Sequence, residues 1–128
     1  SAKQYGVYIQ VEETLYKAVK DQFEWRFLDY VRVKGRKTPV KTYELLSEKD
    51  KLDENTINCI DKFHTAQKHY FDQQWDKAIN GFKESEELEN MFAGRNTNPS
   101  TVYIDRCNAL KENPPGKDWD GVWTLTAK

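Results

Sequence analysis

The spacing of apolar residues changes once along this chain of 128 residues. Before residue 47, apolar and polar residues tend to alternate, as in 7–11 and 23–33, and this spacing is typical of half-buried strands. After residue 54, apolar residues recur every three or four positions, which predicts amphipathic helices. The polar stretch 47–54 is predicted to be a linker. These patterns together predict an α+β protein.

The segment 1–46 is predicted to hold a strand, a short helix and two further strands. Strand-like alternation at 7–11 is followed by helical spacing at 13–20. Two longer strands then flank Gly35, where glycine permits the positive φ of a tight turn. The adjacent pair Phe27 and Leu28 interrupts the alternation, which predicts a bulge.

The segment 55–113 is predicted to contain three helices. The second is expected from about Trp75 to Phe92, and the third has a strong start signal. Asn98 can cap the first turn, and Pro99 fits there because it has no N–H to leave unpaired. Pro114 and its neighbours should end the third helix.

The tail 114–128 contains two tryptophans, which are large apolar side chains for a free chain end. We expect Trp119 and Trp123 to pack on the helices. The alternative is that residues 122–126, which have strand-forming composition, dock on an edge of the sheet.

Charge and composition exclude some classes of protein. Residues 1–46 carry nine Lys/Arg and six Asp/Glu, a net of +3, and residues 47–128 carry eleven and fifteen, a net of −4. The overall charge of −1 argues against nucleic-acid binding. Because no apolar run approaches about 18 residues, we expect no membrane contact by this segment and a cytoplasmic location, although a longer parent can carry an anchor upstream.

The metal-ligating residue types do not form a recognisable motif. His64 and His69 are five residues apart, which does not place them on one helix face. Cys59 and Cys107 lie among apolar residues and are predicted to be reduced, half-buried core thiols, with a disulfide as the alternative. We therefore expect no metal or other cofactor in this segment.

Residues 5–46 resemble the end of a class III adenylate/guanylate cyclase domain. The segment YGVYIQVEETLYKAV resembles a strand and helix of that family, and FEWRFLDYVRVKGRKTPVKTYELL resembles its closing hairpin. The family's usual wording there is V-K-G-(K/R)-x-x-P-V-x-x-Y-E-(V/L). The resemblance implies that 1–46 is the C-terminal part of a cyclase domain.

That resemblance implies a parent enzyme that converts ATP or GTP to a cyclic nucleotide and pyrophosphate with Mg²⁺ or Mn²⁺. The parent would be a dimer, and its metal-binding aspartates and its Asn/Arg pair would precede Ser1. This segment is therefore expected to be non-catalytic. Lys34 matches the motif lysine that can contact the triphosphate, and the alternative is a solvated turn lysine.

Residues 57–92 resemble a tetratricopeptide repeat, in which small residues lie where two helices cross and aromatic side chains fill the gaps. The positions that carry the resemblance are Ala66, Tyr70, Trp75, Ala78 and Phe82. It implies an alternative function as a protein–protein interaction or dimerisation module. Exposed aromatics would favour peptide binding, whereas buried ones would favour a structural cap or a dimer interface.

Overall fold

The computed structural model describes residues 2–33, 35–90 and 96–124. Within these ranges it has a four-stranded sheet and five α-helices, so the α+β class is confirmed. In chain order the elements are α1 (Ala2–Tyr5), β1 (Gln10–Glu12), α2 (Glu13–Val19), β2 (Phe23–Arg32), β3 (Val40–Glu48), α3 (Glu54–Phe71), α4 (Trp75–Leu88), α5 (Pro99–Glu112) and β4 (Trp123–Thr124).

The sheet is built around the antiparallel hairpin of β2 and β3, and its strand order is β1-β3-β2-β4. The register shifts between Phe27 and Asp29, so the hairpin has a bulge at the predicted position. Strand β3 continues to Glu48 and α3 begins at Glu54. The polar connection between sheet and helices is therefore residues 49–53, shorter than the predicted linker.

The tail contacts both the sheet and the helices. Strand β4 pairs in parallel with β2, with Trp123 opposite Val31. Trp119 packs against the rings of Tyr70 and Trp75, with centroids 5.3 and 5.6 Å apart. Trp119 therefore packs on the helices, and Trp123 lies in a strand at the edge of the sheet, so each tryptophan follows one of the two interpretations of the tail. Residues 125–128 lie outside the described part of the chain.

The helix ends follow local capping chemistry. Asp53 accepts a hydrogen bond from the amide of Thr56 at the start of α3, and Asn98 caps α5 in the same way with Pro99 in its first turn. Helix α4 ends at Leu88 rather than continuing towards residue 92 as predicted. The next residue, Glu89, has extended backbone angles, and its carboxylate turns towards β2.

Candidate functional site

A buried cluster of three charged side chains joins the sheet to the end of α4. Arg26 on β2 donates from Nε to Glu44 on β3 at 2.8 Å, and its other nitrogens donate to Glu89 at 2.7 and 2.9 Å. These three residues, the Arg26 cluster, have side chains that are 3–5% exposed. Ser100 on α5 also donates from its hydroxyl to Glu89 at 2.6 Å. The cluster thus links β2, β3, α4 and α5.

The Arg26 cluster contains two carboxylates and one guanidinium, so its formal charge is −1 when both acids are ionised. Burial raises the pKa of Glu44 although Arg26 opposes the shift. Cys59 lies nearby, and burial, with the charge of Glu89 adding to it, raises the pKa of this thiol to about 12. Desolvation is therefore the dominant electrostatic cost at this site.

A second buried ion pair lies further along β2. Asp29 accepts hydrogen bonds from Arg106 on α5 and from the Tyr5 hydroxyl, and the pair with Arg106 is 2.6 Å long. The Tyr103 hydroxyl oxygen lies 3.1 Å from the same carboxylate. The Arg106 guanidinium also lies 4.7 Å from the ring centroid of Trp123. We name Tyr5, Asp29, Tyr103 and Arg106 the Asp29 cluster. It brings the first helix, the hairpin, α5 and the tail strand together.

Between the two clusters, helix side chains bind the backbone of the bulge. His64 Nε2 accepts from the Phe27 amide at 3.1 Å. Gln67 donates to the carbonyls of Phe27 and Leu28, and the Tyr103 hydroxyl donates to the Leu28 carbonyl at 2.8 Å. A bulge interrupts the strand ladder, so its backbone groups need such partners. The irregularity of β2 is therefore specified by side chains of α3 and α5.

His64 is a neutral acceptor in this arrangement. Burial lowers its pKa to about 4, and the positive charge of Arg26 contributes in the same direction. Since Nε2 accepts a hydrogen bond, the proton of the neutral ring lies on Nδ1. The spacing of His64 and His69 in the sequence gives no sign of this role.

A cavity of about 240 Å³ adjoins the Arg26 cluster. All three residues of the cluster line it, together with residues from the 49–53 connection, α3 and the start of α5. Exposed residues at its rim include Lys51, Asp53 and Asn90. It is therefore a cavity with mixed apolar and polar walls that is open to solvent and has the buried Arg26 cluster on one side.

The five residues that carry the tetratricopeptide resemblance lie in one buried cluster. Its members are Phe63, Ala66, Tyr70, Trp75, Ala78, Phe82, Tyr103 and Cys107. Helices α3 and α4 approach each other closely at Gly81, where an added Cβ would lie 2.8 Å from that of Ala66. Gly81 was not predicted as a contact, although a glycine inside a helical pattern is a sign of one. Because the aromatics are buried, they fill a core rather than form a peptide-binding row.

Lys34, the predicted triphosphate contact, lies outside the described residues. Its neighbour Gly35 has a φ of +89°, as the predicted turn requires. Arg36 and Lys37 on the same turn are exposed. The position of Lys34 relative to a nucleotide stays a prediction.

The described ranges contain no group of three or more His, Cys, Asp and Glu side chains placed to hold a metal ion. The two most deeply buried carboxylates, Asp29 and Glu44, are each paired with a guanidinium. The divalent ions implied for the parent enzyme therefore do not fit these residues.

In the same ranges, no helix is long and apolar enough to cross a membrane.

Comparison with known proteins identifies no relative of this chain. No protein-family model matches it, and no curated protein or solved structure does either. The cyclase and tetratricopeptide resemblances therefore rest on the sequence motifs, and function is inferred from residues and geometry.

Proposed function

We propose that this chain is the C-terminal segment of a class III adenylate/guanylate cyclase, and that α3, α4 and α5 hold the closing hairpin of the cyclase domain. The motif over 33–45 supports the family, since it contains the VKG, PV and YEL elements in order. The hairpin β2–β3, with its turn at Gly35, is the structure that this motif forms in the family.

The observation that carries the supporting role is the pair of buried ionic contacts between hairpin and helical segment. Arg26 pairs with Glu89 at 2.7 Å, and Asp29 pairs with Arg106 at 2.6 Å. Removing one partner of such a pair leaves an uncompensated buried charge, at a cost of about 3–5 kcal/mol. The hairpin and the helices should therefore keep one fixed arrangement rather than move as tethered units.

In the proposed parent, ATP or GTP binds in a site completed by dimerisation of two cyclase domains. The Mg²⁺ or Mn²⁺ ions would supply charge neutralisation for the triphosphate, with their ligands upstream of this segment. Lys34 would contribute one further positive charge from the rigid hairpin. This chain makes no catalytic contribution alone, and the proposed location is cytoplasmic.

The test compares two proteins: the proposed longer parent, which includes the sequence before Ser1, and the chain of 128 residues. Formation of cyclic AMP and cyclic GMP is measured by chromatography with Mg²⁺ and with Mn²⁺. We expect turnover from the longer protein and none from the short chain. Turnover by the short chain, or a longer protein that lacks any cyclase sequence upstream, would refute the proposal.

The supporting role has its own test in the longer protein. R106Q removes the partner of Asp29 and should lower turnover at least tenfold by loosening the hairpin. K111Q is the matched control, because Lys111 lies on the same helix as Arg106, its side chain is 55% exposed and its partner Asp76 is exposed as well. Equal activity of R106Q and K111Q, at temperatures where both are folded, would show that the helices do not support catalysis.

A dimerisation module is the second candidate, favoured by the edge of the sheet at β1. Tyr8, Ile9 and Leu15 are 59%, 49% and 53% exposed and lie beside this strand. An edge strand with exposed apolar side chains is prone to pair with another chain. I9K should therefore weaken self-association in sedimentation more than I57K on α3. A wild-type chain that stays monomeric at high concentration would contradict this candidate.

A further inference from the structure

The cavity beside the Arg26 cluster has more negative than positive charge on its floor. Glu44 and Glu89 are ionic partners of the same guanidinium, and their side chains are 3% and 4% exposed. The burial of an excess carboxylate is costly unless a further cation or a proton compensates it. The cavity is the space from which such compensation can come.

The two carboxylates differ in how fully they are hydrogen-bonded. Glu89 accepts two hydrogen bonds from Arg26 and two from Ser100. Glu44 accepts one from the residues that the structure describes, from Arg26 Nε. A carboxylate can accept about four hydrogen bonds. Among residues 2–33, 35–90 and 96–124, most of the acceptor capacity of Glu44 is therefore unused where it lines the cavity.

We propose that this cavity binds a small organic cation with N–H donors, a primary ammonium or a guanidinium, with Glu44 as its main acceptor. The positive charge of the ligand would balance the Arg26 cluster, and its N–H groups would bond to the acceptor positions of Glu44 that no described residue uses. Ser47 and Thr56 also line the cavity and carry hydroxyl oxygens. This proposal is independent of the cyclase assignment.

The size of the cavity limits the ligand. Since a water molecule takes about 30 Å³ of liquid volume, a cavity of about 240 Å³ accommodates a molecule of a few heavy atoms with its bound water. Ethylammonium and methylguanidinium fit this limit and carry the required donors. Tetramethylammonium is a cation of similar size without N–H groups, so it is the control ligand.

Binding is measured by calorimetry and by amide chemical shifts at pH 7 and constant ionic strength. We expect saturable binding of methylguanidinium or ethylammonium with half-saturation at about 1–10 mM, as a ligand of this size allows. The shifts should be concentrated at Ser47 and Thr56. Tetramethylammonium should bind at least tenfold more weakly.

E44Q tests the role of the main acceptor without removing the acceptor for Arg26 Nε. It also removes the excess charge, so the variant should fold, and its affinity should fall at least tenfold. E48Q changes an exposed glutamate at the end of the same strand and should bind like the wild type. The proposal is overturned if the wild-type chain shows no saturable binding, if E44Q binds normally, or if tetramethylammonium binds equally well.

Discussion

Lowering the pH from 7 to 5 should destabilise this fold through His64. The ring accepts a hydrogen bond from the Phe27 amide at the bulge, and burial with the charge of Arg26 lowers its pKa to about 4. In the unfolded chain the same ring has a pKa of about 6.5. Between these values the unfolded state binds a proton that the folded state does not, so acid favours unfolding.

The magnitude follows from the two pKa values of His64. Its contribution to stability is fully present above pH 6.5 and is lost as the pH falls towards 4. Proton linkage with these values gives a loss of about 2 kcal/mol between pH 7 and pH 5. For a chain of this length, that loss lowers the melting temperature by about 7 °C.

The assay compares the free energy of unfolding in urea at pH 7, 6 and 5 for the wild type and H64Q. Glutamine does not titrate, and its amide oxygen can accept the Phe27 N–H in place of Nε2. The wild type should lose about 2 kcal/mol more than H64Q between pH 7 and pH 5. Glu44 shifts the free energy of unfolding in the opposite direction, because its pKa is raised in the folded state and protonation at low pH neutralises a buried charge. This effect is the same in the wild type and in H64Q, so it cancels in the comparison.

The histidine ring signals give an independent measurement. The chain has two histidines, so H64Q assigns the signals of both. His64 should still be neutral at pH 5, and H69Q should keep the acid-dependent loss of the wild type. An equal loss in wild type and H64Q, or a His64 signal that titrates near pH 6.5, would refute the proposed burial and hydrogen bond.

Two further predictions concern backbone and thiols. G6A should destabilise the fold by at least about 3 kcal/mol in urea unfolding, because a Cβ there would lie 2.0 Å from the Thr97 carbonyl oxygen and φ is +70°. G35A has a similar φ but open space around it, so it should cost only about 1–2 kcal/mol. Cys59 and Cys107 should react with a thiol reagent at least 100-fold faster in the denatured protein than in the folded one, since burial raises both pKa values to about 12. Equal rates in the two states would contradict the burial of these thiols.

Local patterns in the sequence predict the elements better than their ends. The helical spacing and the Asn98 cap depend on near neighbours, and the bulge at Phe27 is marked locally by two adjacent apolar residues; the structure has all three. The end of α4 depends instead on a distant partner. Glu89 leaves the helix to bind Arg26, which is 63 residues away, and no local signal marks this. The end of a helix is thus decided by tertiary contacts when a buried charge needs them.

The charged clusters could not be predicted from the sequence. Arg26 and Asp29 alternate with apolar residues on a strand, where charged side chains are ordinarily assigned to the solvent face. Arg106, the partner of Asp29, lies in a helix with a weak apolar stripe, whose buried residues include polar ones. A strand with charges on its buried face can pack against a helix whose buried face contains polar residues. Only the fold shows that they face each other.

The interface between sheet and helices has directional polar contacts besides apolar ones. Its apolar part is the buried cluster of Tyr5, Val7 and Leu28, against which Val102 of α5 packs, whereas the helices themselves share the apolar core from Phe63 to Cys107. The polar contacts from the helical segment to β2 are guanidinium–carboxylate pairs at 2.7 and 2.6 Å and hydrogen bonds to the bulge. Buried ion pairs often add little net stability compared with apolar contacts, but a misplaced one leaves charge uncompensated. For this reason we infer that the clusters fix where the hairpin lies on the helices, as a supporting role for the hairpin requires.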